Sequence, residues 1–282
     1  MRLISSSEHM MDSKLTAELT YQRDRAQQMR SVSATDSHVM ARYRAHRMWR
    51  LFNKEFIFKS LGNLQGKTVL DFGCGEGQLG VQMALLGARV VGIDISPDLI
   101  EVACQRAQLD GISHRVDFRA SDILESAPPE GGFDFVVCTD SLHHVELARV
   151  LPILRRCLKP GGTLIAKEPI CFSPSFQAVR NRLPIETVAS PGDRQLTRQD
   201  LDEICGFFET SQITYFSLFG RFSRFLPNAN RIDRGHPITK ATMVSLLGFD
   251  RLMLTALPFL KTLCGEAVIV AQKQLNAEKA AA

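Results

Sequence analysis

Five short apolar runs between Lys67 and Lys167 alternate with stretches of helical period, an order that constrains the chain more than any other feature. The runs at 67–72, 89–95, 115–120, 133–139 and 163–167 read as strands, and 78–86, 97–110 and 147–158 read as helices. Pro97 stands in a first helical turn, and Lys159-Pro160-Gly161-Gly162 stops the last of these helices. Strands separated mostly by helices of about ten residues form βαβ units, which wind into a parallel, twisted sheet with helices on both faces. Such sheets bind ligands at the carboxyl ends of their strands.

The flanks read as additions to that core. Met40–Leu61 carries apolar residues at helical spacing (Tyr43, Trp49, Phe52, Phe56, Leu61) and predicts one helix ended by Gly62. Residues 16–33 are polar and read as a loose helical arm. Thr197–Phe208 predicts a helix with Thr197 as cap and Asp200 at the third position. Gln212–Leu218 and Glu266–Gln272 predict two late strands, and the long connection between them requires a helix around Met243–Leu257. The expected organisation is an N-terminal arm over 1–40, partly flexible, and a single domain over 41–282. Within it, 66–168 is the ligand-binding core, and 170–210 and 218–263 cover a substrate.

Composition narrows the class. At 282 residues, 45% hydrophobic and 23% charged, the chain is neither disordered nor dependent on disulfide or metal staples. A formal charge of +4 argues against a dedicated nucleic-acid binder. Nine Lys/Arg against three acids between 21 and 60 nonetheless form a basic region. It reads as a solvated helix face, or as a cover that greets an anionic ligand or lipid surface, which leaves room for peripheral membrane contact. The seven cysteines form no CxxC pair and no metal cluster, a pattern of reduced thiols in the cytoplasm. No apolar signal segment follows Met1–Met11. The uncharged run Leu252–Leu260 is far shorter than the ~18 residues of a spanning helix.

Asp71-Phe72-Gly73-Cys74-Gly75-Glu76-Gly77 places a Gly-x-Gly-x-Gly turn between a strand and a helix. Glycine admits positive φ and lets backbone approach a ligand closely, while the helix start offers amide donors. Asp94 ends the second strand, where a carboxylate accepts from both hydroxyls of a ribose. A dinucleotide turn has GxGxxG spacing around a pyrophosphate, which Asp71 would repel. A cofactor with a cationic amino group and no phosphate suits the acid: S-adenosylmethionine.

In order over residues 66–168, these residues resemble the class I S-adenosylmethionine-dependent methyltransferases. The resemblance is carried by Asp71–Gly77, Asp94, Asp122 after the third strand, Asp134 opening the fourth, and Leu158-Lys159-Pro160-Gly161-Gly162. Cys138-Thr139-Asp140-Ser141-Leu142-His143-His144-Val145 is similar to the branch containing ubiquinone-type small-molecule O-methyltransferases. The resemblance implies a Rossmann-like, seven-stranded, mostly parallel sheet with a helical cover before it and a helical insertion before the last strand. It also implies roles. Asp71 helps seat the methionine amino group, and Gly73 and Gly75 line the methionine and ribose, with Cys74 and Gly77 completing the turn. Asp94 holds the ribose hydroxyls beside Ile95, Asp122 accepts from the adenine amino group, Ile123 covers the ring, and Thr139 borders the methionine.

For an oxygen acceptor the protein must supply alignment and a base, and His143 and His144 follow the fourth strand on the ligand-binding edge. Asp140 and Glu168 at neighbouring strand ends offer a second reading, two oxygen ligands for a hard divalent cation; no complete metal set is read. Phe172, Phe176, Phe216, Phe219, Phe222 and Phe225, interleaved with Arg180, Arg182, Arg221 and Arg224, suit a hydrophobic, anionic small-molecule acceptor or simple packing. The alternatives are an RNA methyltransferase using the basic N-terminal region and a cofactor-binding protein without turnover. Oligomeric state is not legible.

Overall fold

The computed structural model describes residues 6–29, 32–172, 194–219 and 237–275. The strands are β1 (Thr68–Phe72), β2 (Arg89–Asp94), β3 (Val116–Ala120), β4 (Phe133–Thr139), β5 (Leu158–Pro169), β6 (Thr210–Phe216) and β7 (Glu266–Gln272). The helices are α1 (Ser6–Gln28), α2 (Ser37–Ala45), α3 (Asn53–Leu61), α4 (Gln78–Leu85), α5 (Pro97–Leu109), α6 (Leu147–Cys157), α7 (Arg198–Gly206) and α8 (Pro237–Ala256). All seven strands join one sheet in the order β3-β2-β1-β4-β5-β7-β6, with β7 antiparallel to both its neighbours. This is the mostly parallel, seven-stranded sheet that the sequence implies. From β1 the chain winds outward to β2 and β3, then returns to β4 on the other side of β1. That reversal opens a crevice at the carboxyl ends of β1 and β4.

Alternation along β1 feeds the two faces. Leu70 joins the core beneath α6 and α7, where Leu151, Leu154 and Ile204 are fully buried. Val69 joins the opposite core beneath α3 and α4, with Ile57, Phe58 and Met83. Truncating a side chain such as Leu154 to alanine costs about 2–5 kcal/mol, from lost transfer energy and the cavity left behind. At the amino edge, Asp134 accepts from the Thr68 amide at 2.9 Å and Lys159 Nζ at 2.8 Å. Those bonds hold its carboxyl well below the usual carboxylate range against the opposing effect of partial burial. Asp134 thus staples β1, β4 and β5 far from the crevice.

The N-terminal cover differs from the expected single helix over 40–61. It is two helices, α2 and α3, joined by a turn that starts at His46 with φ 47°. The cause is tertiary. Glu55 is fully buried and accepts from Arg42 Nε at 2.5 Å and from the Met48 amide at 2.8 Å. A buried carboxylate needs such partners, and only the bent chain brings them to it. The arm is more regular than expected: α1 lies against α5, with Arg23 Nε 3.5 Å from Asp98. Thr35 donates from its amide and hydroxyl to Asp110 at the other end of α5. Thr197 and Asp200 form a full capping box on α7. α8 begins six residues earlier than expected and buries Leu247, Asp250 and Leu254. Phe176, Arg180, Arg182, Arg221, Phe222, Arg224 and Phe225 lie outside the described residues.

Candidate active site

The turn after β1 is built by glycines with φ of 69° at Gly73, 51° at Gly75 and 71° at Gly77. Two of them are required by space as well. A Cβ on Gly73 would stand 2.4 Å from the Cβ of Ser141, and one on Gly77 would stand 2.6 Å from that of Ala103. Gly77 caps α4, so the amide end of that helix faces the crevice. Asp94 braces the turn from β2: its carboxylate accepts from the Gly75 amide at 2.8 Å and the Ser96 amide at 2.9 Å.

Around this turn several buried acceptors lack a protein donor. Glu76 Oε2 and Ser141 Oγ are buried without a hydrogen-bond partner, and the buried Asp71 carboxyl faces the Gly80 amide alone. Burial, then the neighbouring Asp94, pushes the Asp71 carboxyl up to about 7, with the Gly80 amide opposing. Arg106 holds Glu76 in place by donating to its carbonyl at 3.2 Å. Unsatisfied buried acceptors are costly and call for donors. A cationic amino group and ribose hydroxyls match them, and a pyrophosphate does not. The unmet acceptors beside the turn therefore fit S-adenosylmethionine. Cys74 plays a packing role: its sulfur lies under Gly92, 2.9 Å from where a Cβ would be. Burial first, then Asp71, raises its thiol pKa well above the ordinary value.

Gly73, Gly75, Asp94, Ile95, Asp122 and Thr139 all sit along the same carboxyl edge. Ile95 is 38% exposed there, an apolar surface available to a flat ring. Asp122 is exposed and also closes its own loop by accepting from the Leu124 amide at 2.8 Å. Ile123, expected over the ring, is 2% exposed and packs in the core beneath α6.

The two histidines separate. His143 is buried and His144 is exposed, in a short 3-10 turn over Leu142–His144. Glu168, fully buried at the end of β5, accepts from the Ser141 amide at 3.1 Å and the Leu142 amide at 2.9 Å through Oε1. Its Oε2 is 2.6 Å from His143 Nδ1. With Oε1 taken by the two amides, Oε2 is left to receive His143 Nδ1, and the tautomer in which Nδ1 donates keeps the lone pair on Nε2.

Asp140 and Glu168 do not form the divalent-cation pair that their positions suggested. Asp140, at φ 56°, is gripped by Lys167 Nζ at 2.7 and 2.8 Å, while Glu168 is committed to the His143 loop. Among the described residues no group of three His, Cys, Asp or Glu side chains is placed to hold a metal ion. Lys167 also faces Glu266 at 3.5 Å, and these two acids outweigh burial and raise its pKa. Glu266 in turn accepts from Asn53 of the cover at 2.7 Å.

Lys54, on the same cover helix, was not singled out by sequence. Its ammonium donates to Gln78 at 3.1 Å, beside the glycine turn. The side chain is accessible yet stands in a concavity. Partial desolvation there, then Lys167, pulls its pKa below lysine's ordinary value, with Asp140 and Glu76 opposing. Ser141 and Glu76 were also passed over, although both lie inside the motifs. Nothing local in the sequence marks Lys54, which is one of nine basic residues in its region.

Residues 63–202 match the family described as a methyltransferase domain. This segment, about half of the chain, is a class I S-adenosylmethionine-dependent methyltransferase domain. Among curated relatives it resembles the ubiquinone biosynthesis O-methyltransferase of Xanthomonas campestris, 45% identical over 105 residues, or 36% of this chain and 42% of that one. The enzyme of the same name from Bordetella pertussis is 38% identical over 109 residues, 38% of this chain and 44% of that one. The chain thus matches less than half the length of these relatives. Of solved structures, the geranyl diphosphate C-methyltransferase of Streptomyces coelicolor superposes with a TM-score of 0.56 at 17% identity, over 78% of this chain and 76% of that one. A putative sarcosine dimethylglycine methyltransferase from Galdieria sulphuraria gives 0.54 at 13% identity, over 90% and 98%. At such identities the structural likeness shows the fold alone.

Proposed function

We propose that this protein methylates a hydroxyl group of a small, largely apolar acceptor, a phenol or catechol, using S-adenosylmethionine. The observation that carries the reading is the His143–Glu168 pair at 2.6 Å beside the glycine turn and its unpartnered acceptors. When bound, the cofactor supplies an activated methyl on a sulfonium. The chain's own residues do the rest. Asp94, Gly75 and the Asp71–Glu76–Ser141 acceptors hold the amino and ribose groups, and Ile95 lies along the adenine. The Lys54 ammonium meets the anionic carboxylate end. His143, its tautomer fixed by Glu168, takes the hydroxyl proton as the oxygen attacks. Phe172, Tyr215 and Phe219, grouped near the carboxyl ends of β5 and β6, exclude water and favour an apolar acceptor body.

The likeness to ubiquinone-type O-methyltransferases supports oxygen over nitrogen as the acceptor atom. All seven cysteines are free thiols, in keeping with a cytoplasmic setting. Among the described residues no helix is long and apolar enough to cross a membrane. Calorimetric titration with S-adenosylhomocysteine, followed by a methyl-transfer screen over phenols, catechols and amines, tests the reading. Micromolar cofactor binding with turnover of hydroxylated aromatics is the expected result. Binding of NADH in place of the sulfonium cofactor, or turnover of amines alone, refutes it.

A further inference from the structure

A second cavity opens at the other edge of the sheet, beneath the amino ends of β1, β2 and β3, with a volume of about 470 Å³. That size falls in the range of small-molecule sites. Its floor is apolar and buried, formed by Leu64, Ala84 and Ile112. Its rim carries Arg44 and His46 from the end of α2 and Arg115 from the turn before β3. No carboxylate stands among the described residues that line it.

The charge balance has an opposing side. α2, α3 and α4 all end here, so carbonyl groups converge on the cavity. Arg115 donates to the Gly87 carbonyl, just past the end of α4, at 3.2 Å. A helix end at the surface is worth less than one hydrogen bond to a charged group, so the guanidinium groups set the sign of the preferred ligand. His46 stands on the same rim. Burial, then Lys59, lowers its pKa, while Glu55 and the Phe58 backbone oppose. Glu55 is already engaged by Arg42 and the Met48 amide. His46 also holds φ 47°, which is costly for a residue other than glycine and persists where surrounding contacts enforce it.

We propose that this cavity is a second ligand site, separate from the cofactor crevice, that takes a small organic anion: an apolar body seated on Leu64, Ala84 and Ile112, with a carboxylate or phosphate held by Arg44, Arg115 and His46. The anion ties α2, part of the N-terminal cover, to the amino edge of the sheet. This site owes nothing to the proposed methyl transfer, and its test reads binding alone.

The experiment follows the His46 imidazole by NMR, and heat by calorimetry, as the full chain is titrated with benzoate, phenyl phosphate, inorganic phosphate and benzylamine. Benzoate and phenyl phosphate are expected to bind with Kd below about 1 mM. Inorganic phosphate, lacking the apolar body, is expected at least tenfold weaker, and saturating S-adenosylhomocysteine should displace none of them. Arg44→Gln, at an exposed position that leaves the fold intact, should weaken both aryl anions at least tenfold; Arg115→Gln should do the same. The site is overturned if benzylamine binds as well as benzoate, if neither aryl anion moves His46, if Arg44→Gln binds both aryl anions as before, or if S-adenosylhomocysteine displaces them. A phosphate as tight as phenyl phosphate removes the apolar floor from the proposal.

Discussion

Glu168 Oε2 lies 2.6 Å from His143 Nδ1 with both side chains buried, while Oε1 of the same carboxylate closes the loop after β4. One side chain thus shapes the loop and sets the imidazole's tautomer. His143→Gln should lower kcat by at least 10²-fold, the ordinary contribution of a general base, with cofactor affinity little changed. Glu168→Gln keeps the shape and removes the charge, so its loss should appear mainly in kcat. Both are read by steady-state kinetics with a methylated phenol as product, beside calorimetry with S-adenosylhomocysteine. Equal loss of binding and turnover in His143→Gln would assign the residue to packing.

Asp71 predicts an unusual pH dependence. Its carboxyl is pushed up from 3.8 to about 7 in the fold, chiefly by burial. A raised acid favours the fold while protonated, so the stability it contributes is present at low pH. That stability falls away as pH rises from about 4 to 7, because only the unfolded chain ionises freely there. The shift corresponds to a loss on the order of 4 kcal/mol across that window. Asp71→Asn should flatten this part of the stability curve, measured by urea unfolding at pH 5 and pH 8. Saturating cofactor, whose amino group offsets the carboxylate, should narrow the difference in the wild-type chain.

The strands, the α4–α6 rhythm and the glycine turn were legible because each depends on neighbours in sequence: alternation, helical period and positive φ at Gly73, Gly75 and Gly77. The break in the cover was not, because Glu55 bends the chain by bonds to Arg42 and Met48 that periodicity does not encode. Likewise the sequence named both histidines. Choosing between them required Glu168, which reaches His143 from 25 residues away. Asp140 and Glu168 looked alike as strand-end acids and differ only in partners, Lys167 for one and the His143 loop for the other. Lys54 gained meaning only once α3 was seen to face the turn through Gln78.

Lys54 is assigned to the anionic end of the cofactor, and Lys54→Gln should weaken S-adenosylhomocysteine about tenfold, or 1.4 kcal/mol. The size follows from losing one charge-assisted hydrogen bond in a partly desolvated cleft. Because the charge lies in a concavity, raising salt from 50 to 500 mM should erode wild-type affinity more than that of the variant. A variant with unchanged affinity would falsify the assignment and leave Lys54 as a partner of Gln78 alone.

Asp94 carries two duties that a pair of substitutions separates. Its carboxylate accepts from the Gly75 and Ser96 amides, so it shapes the turn before any ligand arrives. It also stands where ribose hydroxyls are expected. Asp94→Ala removes both functions and should weaken S-adenosylhomocysteine at least tenfold, with a loss of about 1–3 kcal/mol in stability from two stranded amides. Asp94→Asn retains one carbonyl acceptor and most of the shape, so stability should largely recover. Affinity should recover only in part, because an amide accepts poorly from two hydroxyls at once. Calorimetry and thermal unfolding on the same samples decide the matter. If Asp94→Asn restores binding together with stability, Asp94 is a brace of the turn and the ribose is held elsewhere.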